Sequence, residues 1–203
     1  IWLNGYVAGS SVSEFDSILD KSSRSLTSCN WYRALNASDF TVITAGQISA
    51  LTTAQLGSLT STQVSSIDTT ALAALTTIQL SGFVATQISA LTTTQLNALP
   101  ASDIASLTTT QFSAFSTTQL ASLDTIRFGA LTATQLGILT VAQLDAITTT
   151  NIATMSTTQV TGLGASQVAG LTTTQLTALS TSAISNLSTT QVNGLTLAQI
   201  AAL

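Results

Sequence analysis

Residues Thr92–Leu99 read Thr-Thr-Thr-Gln-Leu-Asn-Ala-Leu, and Thr172–Leu179 read Thr-Thr-Thr-Gln-Leu-Thr-Ala-Leu. The same eight-residue unit runs without a gap from Asn36 to Leu203, twenty-one copies in all. With Thr92 as position 1, positions 5 and 8 are apolar in every copy, from Phe40 and Ile43 to Ile200 and Leu203. Spacings of three and then five fit neither the two-residue alternation of a strand nor one unbroken helix. A continuous helix would need 4.0 residues per turn to keep both positions on one face, well away from 3.6. The helix therefore has to break once per octad.

The break is marked by polar residues. Position 1 is Thr, Ser, Asp or Asn in eighteen copies, and position 4 is Gln in fifteen. A short hydroxyl or acid followed three residues later by Gln or Glu is the capping box, which satisfies exposed N–H groups where a helix begins. The apolar residue before the cap (Leu91) and the one at N4 (Leu96) supply the accompanying hydrophobic staple. Each octad thus predicts a helix of one to two turns. Position 7 is Ala, Ser or Gly in seventeen copies, which predicts close approach of neighbouring backbones. Helices this short are unstable alone and cannot bury their own aliphatic pairs, so the repeats must stack. The predicted fold is all-α, a solenoid or superhelix of very short helices, one per octad.

Departures from the pattern recur with a longer rhythm. Position 4 is not Gln at Asp39, Ala71, Asp103, Arg127, Asn151 and Ala183, spaced four, four, three, three and four octads apart. A superhelical turn of three to four octads would bring these copies to one face. Duplication of a longer unit of about 30 residues would give the same rhythm with no geometric meaning.

Three segments are expected: an N-terminal arm over 1–10, irregular capping repeats over 11–35, and the regular solenoid over 36–203. Three of the four basic residues (Lys21, Arg24, Arg33) and all Trp and Tyr residues lie within the first 33 residues, as expected of a capping segment. The chain opens with Ile rather than Met, which points to processing or to excision from a longer protein.

Composition argues against several functions. There is no His, one Cys, and a net charge of -4 from four basic and eight acidic residues. Four Lys/Arg cannot neutralise a phosphate track, so no nucleic-acid partner is expected. Mean hydropathy is positive, but Thr, Ser and Gln return in every octad and no stretch is long enough to span a membrane. The residues lack a zinc ligand set or a Cys–His pair, and neither a cofactor nor enzymatic activity is expected. Asp124 and Arg127 form a candidate surface pair of small energetic weight. Asn36-Ala-Ser38 and Asn186-Leu-Ser188 match the N-glycosylation pattern, a match expected by chance in so Ser/Thr-rich a chain.

The octads Thr92–Leu99 and Thr44–Leu51 (Thr-Ala-Gly-Gln-Ile-Ser-Ala-Leu) resemble the repeat tracts of very large bacterial secreted or cell-surface, adhesin-like proteins. Those tracts carry the loose consensus Leu-Thr-Thr-x-Gln-Leu/Val-x-Ala-Leu. The resemblance covers 36–203, implies an extracellular bacterial setting and brings no catalytic residue.

The expected function is that of a structural protein, a filament or surface-fibre subunit that is its own partner through head-to-tail contacts. Ile1, Trp2 and Tyr6 of the arm, with Ile200 and Leu203 at the other end, are the candidate assembly residues. The alternative is an adhesin stalk whose Thr-rich surface contacts glycans or neighbouring cells.

Overall fold

The computed structural model describes residues 35–203. The arm, most of the irregular capping repeats, and Ile1, Trp2 and Tyr6 lie outside the described residues. Within them the architecture is all-helical: twenty-one helices, α1 (Ala37–Phe40) to α21 (Leu197–Ala202), each four to six residues long, and no strand among the described residues.

Every octad contributes one helix, and every helix has position 1 as its N-cap, in extended or near-extended backbone geometry. In fourteen octads the capping box is complete. In the octad of Thr92, for example, the Gln95 N–H donates to Thr92 Oγ1 at 3.1 Å, while the Thr92 N–H donates to Gln95 Oε1 at 2.9 Å. Val84 and Gly164 have no side-chain acceptor, so only the glutamine half survives there. Pro100 has no N–H and makes neither bond. The position 5 amide closes a helical turn onto the position 1 carbonyl, and the position 8 amide, in most copies, bonds the position 5 carbonyl.

The helices coil. Ala45–Ser49 packs on Thr69–Ala73, Ser61–Ser66 on Ala85–Ala90, and Thr149–Ala153 on Thr173–Ala178. In each case the partner lies three helices further along the chain. Hydrogen bonds between turns span 25 to 31 residues, with 28 the recurrent separation. Twenty-eight residues is three and a half octads, so the superhelical turn falls within the three to four predicted from the spacing of the atypical octads. Steps of 32 or 24 residues overshoot or undershoot such a turn by four. Because the steps compensate, the six octads lacking Gln stay within about eight residues of one another around the coil, under a third of a turn. They share one side of the solenoid.

The interior is a continuous seam of the position 5 and 8 side chains. Phe40, Leu56, Leu96, Phe112 and Leu176 are fully buried, and the position 8 residues from Ile43 to Leu179 are nearly so. Leu91 and Leu96, the expected staple pair, both lie in this core. Phe112 and Phe115 stack at 4.8 Å between ring centroids.

Small residues set how closely the turns approach. A methyl placed on Gly82 (position 7) would lie 2.4 Å from the Thr53 carbonyl oxygen, and one on Gly57 would lie 2.5 Å from the Gly82 oxygen. Gly162 meets Ala133 and Gly137 meets Gly162 in the same way. Gly129 faces open space. None of these contacts depends on backbone handedness: the Gly82 cap is right-handed helical, with φ -74°. The constraint is steric.

Gly82→Ala is therefore expected to lower stability by about 1–3 kcal/mol through overpacking. Gly129→Ala should be neutral or stabilising by up to ~1 kcal/mol through helix propensity. Urea unfolding of the two variants side by side checks the contrast.

Candidate functional site

The recurring chemical group of this molecule is the position 4 side chain, and its second role was not legible as a capping signal. The glutamine Oε1 accepts from the N-cap N–H of its own octad at 2.7–3.0 Å. Its Nε2 reaches across to the preceding turn and donates to the position 8 carbonyl 28 residues earlier. Gln95 reaches Ile67 at 2.7 Å, Gln119 reaches Leu91 at 2.8 Å, and Gln167 reaches Leu139 at 2.6 Å. A second bond often runs to the position 5 carbonyl 31 residues earlier, as from Gln95 to Val64 at 3.0 Å. Only one orientation of the amide satisfies an N–H on one side and carbonyls on the other. These amides are buried: Gln87 is 1% exposed and Gln135 2%.

Two of the six octads without glutamine fill the same role with other donors. Asn151 Nδ2 donates to Leu123 O at 2.7 Å, again 28 residues back. Arg127 Nε donates to Leu99 O at 2.7 Å. Arg127 also pairs with Asp124 at 2.5 Å, but the expectation of a merely superficial ion pair needs correction. Its side chain is only 17% exposed, and the inter-turn bond is what its octad requires of it. Ala71 and Ala183 carry no polar group and lie in the core. Asp103 is buried with Oδ2 unpartnered. Burial pushes its carboxyl above the usual aspartate range, against the pull of the Ser102 hydroxyl. Asp68, by contrast, is an exposed N-cap held below that range by the Thr70 N–H at 2.8 Å.

At the C-terminal end the seam is uncovered. Position 5 is fully buried through Leu176, yet Val192 is 42% and Ile200 52% exposed, and Leu203 is 53% exposed. Ile200 and Leu203, two of the candidate assembly residues, thus lie together at the end of α21, Leu203 being its C-cap and donating its N–H to Ile200 O. The outward surface is built from positions 1 and 3; Thr92, Thr94, Thr108 and Thr110 are all exposed. The amides of both glycosylation-pattern asparagines have local partners. Asn36 Oδ1 caps its helix, and Asn186 Nδ2 donates to Ser182 O at 2.7 Å.

Among the described residues, no three His, Cys, Asp or Glu gather into a metal-holding group, and no helix is long and apolar enough to cross a membrane.

The family model described as the ALTTAQ repeat matches residues 173–203. No curated protein matches the chain. The matched segment covers the last four octads but for its first residue, and its helices and glutamine bonds are of the same form as those of earlier turns. The tract is an octapeptide repeat throughout.

Replacing Gln119 by Leu keeps a similar size and removes the bonds of its amide. It leaves the Ser116 N–H and the Ile88, Ser89 and Leu91 carbonyls without this partner, at an expected cost of about 2–4 kcal/mol. Gln143 is less buried and its amide bonds the Phe115 carbonyl at 2.8 Å, so Gln143→Leu should cost less. Thermal unfolding of the two variants measures the difference.

Proposed function

We propose that this protein is an extracellular structural repeat protein, a subunit of a self-assembling filament or surface fibre, with no enzymatic role. The observation that carries this reading is the sameness of the inter-turn contact. Each turn offers the next an apolar seam and a row of backbone carbonyls, and each turn brings the seam and the amide donors that match them. Val192, Ile200 and Leu203 are exposed position 5 and 8 residues of the kind that earlier turns bury against one another. A further length of octads, from the same chain or from a second copy, would cover them by the bonds already used between turns. A head-to-tail contact that does not close on itself produces an open fibre. The resemblance to bacterial cell-surface repeat tracts supports the extracellular setting.

A second reading has its own observation. The outer surface presents exposed hydroxyls at positions 1 and 3, which suits an adhesin stalk contacting glycans. Glycan-array binding by a protein that stays monomeric would favour it.

Electron microscopy of the native protein is expected to show fibres one solenoid wide. Ile200→Asp with Leu203→Asp places charge on a face that is already half exposed, so helical circular dichroism should be retained. Burying those charges in a contact costs several kcal/mol, and end-to-end assembly should fall at least tenfold. Unchanged assembly in that variant would exclude this face as the contact.

A further inference from the structure

The octad Pro100–Leu107 departs from its neighbours twice. Pro100 removes the N–H that a position 4 oxygen elsewhere accepts, and Asp103 replaces the amide that elsewhere donates to the turn before. Its carboxyl is 4% exposed and its Oδ2 has no hydrogen-bond partner. Register sets it opposite the Leu75 carbonyl, 28 residues earlier. Asn151 stands in the same relation to Leu123, and its Nδ2 bridges the gap at 2.7 Å. Asp and Asn side chains have the same length, so the reach is sufficient. What the carboxylate lacks is a hydrogen to donate.

We propose that Asp103 is a proton-dependent tie between successive turns: protonated, its carboxyl donates to the Leu75 carbonyl, and ionised, it leaves that contact open. The charged surroundings do not supply a substitute. Of the helices packed on Ala101–Ser106, Thr77–Ser81 has no charged residue, and Thr125–Gly129 brings only Arg127. That guanidinium is committed to Asp124 and to the Leu99 carbonyl. In the octad beneath, the charged group is Asp68, whose carboxylate caps its own helix. Two acidic groups and one engaged cation leave the ionised form of Asp103 without a counter-charge, and the Ser102 hydroxyl that favours it is outweighed by burial. Burial favours the neutral acid in the same sense.

The sign of the effect follows from linkage. A carboxyl whose folded-state pKa is raised stabilises the fold fully below its unfolded value, and that stabilisation is lost as pH rises through the folded value. The contact at Pro100–Leu107 is tight in acid and weakened at neutral pH. It lies mid-way along the described solenoid, on the side where the six octads without Gln cluster.

Asp103→Asn supplies the missing donor at unchanged size. Urea unfolding from pH 4 to pH 8 should show the variant's folding constant exceeding the wild-type value by about tenfold at neutral pH, the worth of one regained hydrogen bond to a backbone carbonyl. The two should approach parity at pH 4. A ratio that does not change with pH would overturn the proposal. Carbon-13 NMR titration of the native protein gives an independent readout: the Asp103 carboxyl should titrate above the ordinary value of about 3.9, and titration at or below it would also overturn the assignment. Calcium chloride at neutral pH supplies the third arm. Stabilisation of wild type but not of Asp103→Asn would assign the site to a metal ion instead of a proton, and its absence supports the tie.

Discussion

A side-chain amide that faces a backbone N–H on one side and backbone carbonyls on the other can be satisfied in only one orientation and at one distance. The position 4 glutamine is such a group, and the solenoid depends on it. An octad contains one or two helical turns, too few to satisfy its own terminal groups. The N-cap N–H and the position 8 carbonyl would both be orphaned next to an apolar interior, where an unpaired polar group costs about 1–3 kcal/mol. One glutamine serves an N-cap of its own octad and a helix end of the preceding turn. Local helix initiation and long-range stacking are thereby the same interaction. Of the six octads without Gln, those of Asn151 and Arg127 reproduce the donor at the same 28-residue separation, so other residue types can make this bond, while those of Ala71 and Ala183 do without it.

The same constraint explains the choice of small residues. Inter-turn bonds of 2.6–3.0 Å draw the turns together, and position 7 of one helix then rests against position 2 of a helix in the turn below. Gly82 on Thr53, Gly162 on Ala133 and Gly194 on Ala165 occupy this contact. Where position 7 meets the turn below this closely, a side chain larger than Gly would clash with its backbone. The hydrophobic seam supplies the driving force, while the amides and small residues set the spacing at which it closes.

The repeated contact also explains how a nearly uncharged chain can build a long solenoid. Stability in such arrays is a sum of repeat and neighbour terms, so it accumulates with length instead of residing in one core. Single departures are tolerated, and they cluster on one side of the coil. Asp103 is the one buried departure among the described residues that leaves a polar oxygen unpaired, and it makes the coil's cohesion at that point sensitive to protons.

The sequence by itself determined the helical class, the length of each helix and its starting residue, because capping and the three-then-five apolar spacing are local. Asn36, Thr92 and Ser188 are N-caps where the octad phase placed them. Spacing of the atypical octads even carried the turn length, since Asp39, Ala71, Asp103, Arg127, Asn151 and Ala183 recur at three or four octads. Only the tertiary structure decided what the glutamine amide nitrogen does, that Arg127 ties two turns together, and that Asp103 is stranded. The physical reason is that a capping box accounts for one end of the glutamine. Its other end bonds a carbonyl 28 residues away, and no local pattern in the chain specifies which distant backbone atom a free donor will meet.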